Sequence, residues 1–173
     1  LYENELILGK ADDQSIHFDT LVFACRDIKQ VTIPSQIKRI EPFCFDECNK
    51  LKMVNFSPDS QLTSIEQYAF YNTSIEEISI PSHVNRIGNL AFFDINSLTK
   101  INFSENSQLK SIEKGAFLRT SIESLSLQSN VKFLEDGWCC STSNLNSISV
   151  SPLNKNFILF EKKIILGKSD KKK

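Results

Sequence analysis

Apolar residues return along this chain in one figure: an isoleucine or leucine, a gap of two, then two apolar positions flanking a polar one. It runs Ile28, Val31, Ile33; Leu51, Val54, Phe56; Ile75, Ile78, Ile80; Leu98, Ile101, Phe103; Ile122, Leu125, Leu127; and Leu145, Ile148, Val150. The closing apolar-polar-apolar triplet has the period of a strand with one buried face. Six short strands are therefore predicted, with Thr32, Asn55, Ser79, Asn102, Ser126 and Ser149 forming one exposed row. Ile28, Ile75 and Ile122 are spaced by 47 residues, as are Leu51, Leu98 and Leu145, so units of 23 and 24 residues alternate. A period of this length marks a solenoid, because one coil cannot bury its own apolar face whereas stacked coils can.

A second apolar pair follows each strand: Ile37 and Ile40, Leu62 and Ile65, Val84 and Ile87, Leu109 and Ile112, Val131 and Leu134. Five residues beyond its closing member stand Phe45, Phe70, Phe92 and Phe117, with Cys139 in the fifth coil. Each Phe is preceded by a small residue, Cys44, Ala69, Ala91 or Ala116, while Trp138 precedes Cys139. A large ring beside a small side chain lets backbones stack closely without clash or cavity, so these pairs are assigned to the core. The length difference between units falls in polar, turn-rich stretches such as 57–61 and 104–108.

Upstream, Phe18 and Phe23 repeat the spacing of the closing apolar residue and the ring, with Val22 at the small position; residues 15–27 are expected to form the latter part of a divergent first coil. The ends resemble one another. Leu1, Tyr2 and Glu3 match Leu159, Phe160 and Glu161, and the run Leu6-Ile7-Leu8-Gly9-Lys10 matches Ile164-Ile165-Leu166-Gly167-Lys168. Each pair of runs surrounds a polar turn, so residues 1–14 and 153–173 are expected to be hairpin-like segments that cover open strand edges; the alternative is that they recur because a larger protein repeats the whole module. The whole of 1–173 is taken as a single solenoid domain, and the missing initiator Met as the mark of a piece of a larger protein.

These units resemble the BspA-like branch of leucine-rich repeats over most of the chain, about residues 15–152. The resemblance is carried by stretches such as 75–92 and 98–117, in which the strand figure leads to an Ala-Phe pair. It implies a β-rich leucine-rich-repeat solenoid of right-handed coils with a parallel sheet along one side, about five clear repeats and partial terminal coils. It also implies a cell-surface or secreted location and adhesion to host or extracellular-matrix components.

The chain has 173 residues, 40% hydrophobic and 24% charged, enough for one substantial core. Twenty Lys and Arg against 21 Asp and Glu leave a formal charge of −1, which gives no general attraction to nucleic acid or an anionic membrane. No apolar run has membrane-spanning length, so direct membrane insertion is not expected. Cys44 and Cys139 occupy core positions of the repeat and are assigned as filler; Cys44 and Cys48 are near enough in sequence for a local bridge. His17 and His83 belong to no triad or metal-binding spacing, and no phosphate-loop motif is present, so no catalytic, metal or cofactor site is expected.

A non-catalytic binding surface is the expected function, with a structural spacer or shield as the alternative. Strand rows present side chains at regular steps of about 4.8 Å, so a partner can engage several coils at once. The face consists of Gln30, Thr32, Met53, Asn55, Glu77, Ser79, Lys100, Asn102, Ser124 and Ser126. Its expected partner is a host or matrix protein, or a glycan. A second stripe, containing Lys38, Arg39, Arg86, Lys110 and Lys132 and ending at Phe133, is modestly basic and suits an anionic glycan or acidic protein. Asn55, Asn72 and Asn102 head glycosylation sequons, and Asn72 is expected in an exposed turn.

Overall fold

The computed structural model describes residues 5–14, 16–161 and 164–167. Among the described residues there is no helix, and every coil is built from strands and turns. The strand figure of the sequence forms β3 (Gln30–Ile33), β5 (Met53–Phe56), β7 (Glu77–Ile80), β9 (Lys100–Phe103), β11 (Ser124–Leu127) and β13 (Ser147–Val150). These pair in parallel and in chain order along the solenoid. Their inward residues, such as Val31, Ile33, Ile78, Ile80, Leu125 and Leu127, are buried, as one-faced alternation requires.

A second sheet runs along another side of the coil. It contains β2 (Thr20–Ala24) and the two-residue strands β4 (Arg39–Ile40), β6 (Ser64–Ile65), β8 (Arg86–Ile87), β10 (Ser111–Ile112) and β12 (Phe133–Leu134), all parallel. The expected single sheet is thus joined by one too short to show a period-2 pattern. Each short strand delivers its apolar second residue to the core, and Ile40, Ile65, Ile87 and Ile112 are fully buried.

The third side is a column of turns stitched by backbone hydrogen bonds. Phe45 N–H donates to Ala69 O at 2.8 Å, Phe70 N–H to Ala91 O at 2.8 Å, Phe92 N–H to Ala116 O at 2.9 Å and Phe117 N–H to Trp138 O at 2.8 Å. The rings behind these bonds stack with centroids 4.9, 5.2 and 5.6 Å apart from Phe45 through Phe117. Trp138 ends the stack edge-on to Phe117, and half-buried Cys139 has its thiol pushed up to about 11 by burial, with Cys140 adding to the effect.

Each turn places two residues, four apart, in the left-handed region: Phe43 and Glu47, Tyr68 and Asn72, Leu90 and Asp94, Gly115 and Arg119, Gly137 and Ser141. That conformation costs an ordinary L-residue about 1–2 kcal/mol. At Gly115, where φ is 63°, a Cβ would also stand 2.7 Å from Leu90 Cδ2. Gly115→Ala is therefore expected to destabilise the chain by about 1–2 kcal/mol. Urea unfolding checks this, and an unchanged midpoint would show that the turn relaxes freely.

The first coil departs from its sequence assignment. Phe18, Val22 and Phe23 are exposed, while Leu21 and Ala24 are fully buried. Leu21 aligns with Ile40, and Ala24 N–H donates to Cys44 O, the ladder bond that Phe45 makes to Ala69 in the next coil. An alanine thus holds the ring position, and buried Leu6 lies opposite it. Leu6 belongs to β1 (Leu6–Gly9), which pairs antiparallel with β2; the other strand of the hairpin expected within 1–10 lies outside the described residues. Leu1, Tyr2, Glu3, Ser15, Lys162, Lys163, Lys168 and the final lysines lie outside the described residues.

At the other end β14 (Phe157–Phe160) and β15 (Ile164–Gly167) form an antiparallel hairpin. Asn154 moors it. Its buried amide donates to Gln128 O at 2.8 Å and Val131 O at 3.1 Å, and its carbonyl accepts the N–H groups of Asn156 and Phe157 at 2.8 and 2.9 Å. Cys44 and Cys48 are both buried thiols, unbridged. Burial pushes each upward, and Cys48 Sγ lies 3.6 Å from an Arg26 guanidinium nitrogen.

Candidate functional site

The outward residues of the long sheet come from the alternate positions of the strand figure, which places all ten candidates on one face. Gln30 lies against Met53, Thr32 against Asn55, Glu77 against Lys100, and Ser79 against Asn102. Ser124 lies against Lys100 and Ser147, and Ser126 against Ser149. Asn102 is half-buried and the other nine are exposed. Open hollows cross this face. One of about 710 Å³ is lined by Met53, Asn55, Glu77, Ser79, Pro81 and His83 among others. A second of about 610 Å³ is lined by Asp27, Lys29, Gln30 and Thr32, and Asn55 borders both.

Charges on the face are matched across coils. Lys100 Nζ sits 3.0 Å from Glu77 Oε1, and Asn102 Nδ2 donates to the same oxygen at 2.6 Å and to Ser79 Oγ at 3.2 Å. The hydrogen bonds from Lys100 and then Asn102 hold the Glu77 carboxyl below its ordinary range. It therefore stays ionised in mildly acidic conditions, and the charge pattern of the face persists there. Met53 adds a flexible apolar side chain at 51% exposure. His83 Nδ1 lies 3.5 Å from Ser82 Oγ at the rim.

The stripe along the short sheet is less basic than its residues imply. Arg39 lies 2.8 Å from Glu41 and 3.3 Å from Glu66, while Arg86 bridges Glu66 and Glu113. Burial opposes the charge of Arg86, but the hydrogen bonds and charges of Glu66 and Glu113 outweigh it and raise its pKa. The acids stand immediately after the closing isoleucines, one row along, and neutralise the two arginines. Lys38 meets Asp19 at 3.4 Å, and exposed Phe133 ends the row. Of the sequon residues, Asn55 is exposed, Asn102 is engaged as above, and Asn72 is half-buried with buried Thr73 beside it.

Residues 17–156 match, in six copies, the family described as BspA type leucine rich repeat region. This chain belongs to that family. The family's repeat fold is a scaffold, generally one that binds protein. Pneumococcal vaccine antigen PcpA is 32% identical over 81% of this chain and 34% of its own, with a TM-score of 0.76. A leucine rich cell surface protein from Faecalibacterium prausnitzii A2-165 matches 96% of this chain and 50% of its own at 15% identity and a TM-score of 0.64, a likeness of fold. A leucine-rich repeat protein from Bacteroides capillosus matches 76% of this chain and 85% of its own, at 22% identity and a TM-score of 0.52. The chain thus spans about a third of the PcpA structure and half of the Faecalibacterium one. No curated protein matches it.

One surface of this BspA-type solenoid escaped the sequence reading. On the turn column Phe43 stacks on Tyr68 at 5.2 Å and Tyr71 on Phe93 at 5.3 Å, with Tyr68 edge-on to both Tyr71 and Phe93. Arg119 lies over the Phe93 ring at 5.8 Å. The signal was periodic all along: Phe43, Tyr68 and Leu90 stand three residues beyond the closing isoleucine, and Tyr71, Phe93 and Leu118 six beyond it. Among the described residues no cluster of His, Cys, Asp and Glu has the makings of a metal site, and no helix is long and apolar enough to cross a membrane.

Proposed function

We propose that this chain is a non-catalytic binding module of a cell-surface or secreted protein, contacting a host or extracellular-matrix protein or glycan through its long sheet. The observation that carries this reading is the pair of hollows that meet at Asn55 and span successive coils of an exposed, regularly spaced face. Such a face offers many modest contacts fixed at the coil spacing, and its affinity comes from their number and fit. The cell-surface description of the Faecalibacterium neighbour supports the location.

Changing Glu77 and Lys100 together to alanine removes both members of an exposed ion pair and leaves the net charge unaltered. Folding is expected to be intact by circular dichroism, while binding to the best ligand from an array of purified matrix proteins and glycans falls at least about tenfold, the scale of one to two lost interface contacts. Equal binding by the folded wild-type and doubly changed chains counts against this face.

A further inference from the structure

The two terminal segments carry closely similar strands, each paired antiparallel with a different neighbour. β1 reads Leu6-Ile7-Leu8-Gly9, β15 reads Ile164-Ile165-Leu166-Gly167, and a lysine follows each. β1 is paired with β2: Leu6 lies opposite Ala24, Ile7 opposite Phe23, Leu8 opposite Leu21 and Gly9 opposite Thr20. β15 pairs with β14 and, among the described residues, with no other strand. Among the described residues its other edge has no partner, and the pairing of β1 with β2 shows which sequence a strand of this pattern can lie against.

The glycines supply a second observation. A Cβ on Gly9 would stand 2.7 Å from Val22 Cγ2 and 2.9 Å from Thr20 Oγ1, so close approach to β2 demands a bare residue. On Gly167 the nearest atom would be Phe157 Cε1 at 3.3 Å, a ring edge that can give. The hairpin alone asks less of this position than a β2-type neighbour does. Exposed apolar side chains occur in both terminal segments: Ile16, Phe18 and Phe23 in one, Leu153, Ile158 and Leu166 in the other. Exposed apolar side chains in both terminal segments suit a head-to-tail contact.

We propose that β15 of one copy of this chain adds to β2 of a second copy in the register that β1 uses, displacing β1 and joining the solenoids head to tail. This is strand exchange: main-chain hydrogen bonds supply the contact, and the leucine and isoleucine side chains set the register. Such an interface is heterologous and does not close, so further copies lengthen the rod. Within one chain the short connection keeps β1 at high effective concentration next to β2, and the intact chain exchanges weakly.

Sedimentation of the full chain over a concentration series tests the proposal through two equivalent glycines. Gly9→Val crowds β1 away from β2 and is expected to raise the weight-average mass from one chain to two or more. Gly167→Val leaves β1 in place and abolishes whatever association the wild type shows. The double variant Gly9→Val/Gly167→Val returns to the mass of one chain, because the donor edge no longer fits. A double variant that associates as strongly as Gly9→Val overturns the proposal, since a disturbed first coil or exposed end surface then suffices. A Gly9→Val chain that stays monomeric overturns it too.

Discussion

Replacing Phe92 by alanine is expected to lower the stability of this solenoid by about 3–5 kcal/mol. The ring is fully buried between those of Phe70 and Phe117, at centroid distances of 5.2 and 5.6 Å. The coils cannot close the resulting cavity, because ladder bonds on three sides of each coil fix their spacing. One of these bonds is made by the Phe92 amide itself. Denaturant unfolding measures the loss, and a value below about 1 kcal/mol would place the ring outside the core. Since each coil touches only its neighbours, a weak coil in the middle also uncouples the two halves. The transition is therefore expected to broaden as well as shift.

The second large effect is expected at the end of the array. Asn154→Ala removes two donated and two accepted hydrogen bonds from a buried amide, at a cost of about 2–3 kcal/mol. Here the damage is local. Native-state hydrogen exchange should quicken in the backbone amides of 157–167 and leave those of β7 unchanged. Equal quickening in both regions would mean that the hairpin and the central coils unfold as one unit. Phe92 and Asn154 thus separate the two costs a stacked array bears, one for filling its centre and one for fastening its last coil.

The sequence exposed most of this fold because its strongest constraint is local and repeated. An Ile-to-Phe spacing of five, held from Ile40 to Phe45 through Ile112 to Phe117 with a small residue before every ring, marks core packing by its repetition in four successive coils. The same logic misled at the first coil. Phe18 and Phe23 reproduce that spacing, while the ladder runs through Leu21 and Ala24, where the residue opposite is Leu6 of the preceding strand β1. A terminal coil has a neighbour on one side only, so its ring position is filled from outside the repeat and leaves no periodic trace.

For the surface, alternation was enough to put ten residues on the long sheet, since a strand with one buried face has only one other. It could not show that Glu77, Lys100 and Asn102 satisfy one another across two coils. Nor could it show that Arg39 and Arg86 are matched by glutamates of the neighbouring row. Those facts depend on which side chains the stacking brings level. The aromatic cluster of Phe43, Tyr68, Tyr71 and Phe93 was hidden for a different reason. Tyr68 and Leu90 take left-handed turn positions that their residue types do not announce, so the outward direction of their side chains was not legible.

All three columns of ladder bonds lie along the axis on which the coils stack. A pull on the two ends of the rod passes the same force through every interface between coils in series, so the weakest interface gives first while the others hold. A coil that peels away releases 23 or 24 residues, roughly 75–85 Å of extended chain where about 4.8 Å of rod had been. Under tension the protein would lengthen in steps at modest force, dissipating work with each, and would recover its length by re-stacking on the coils still in place.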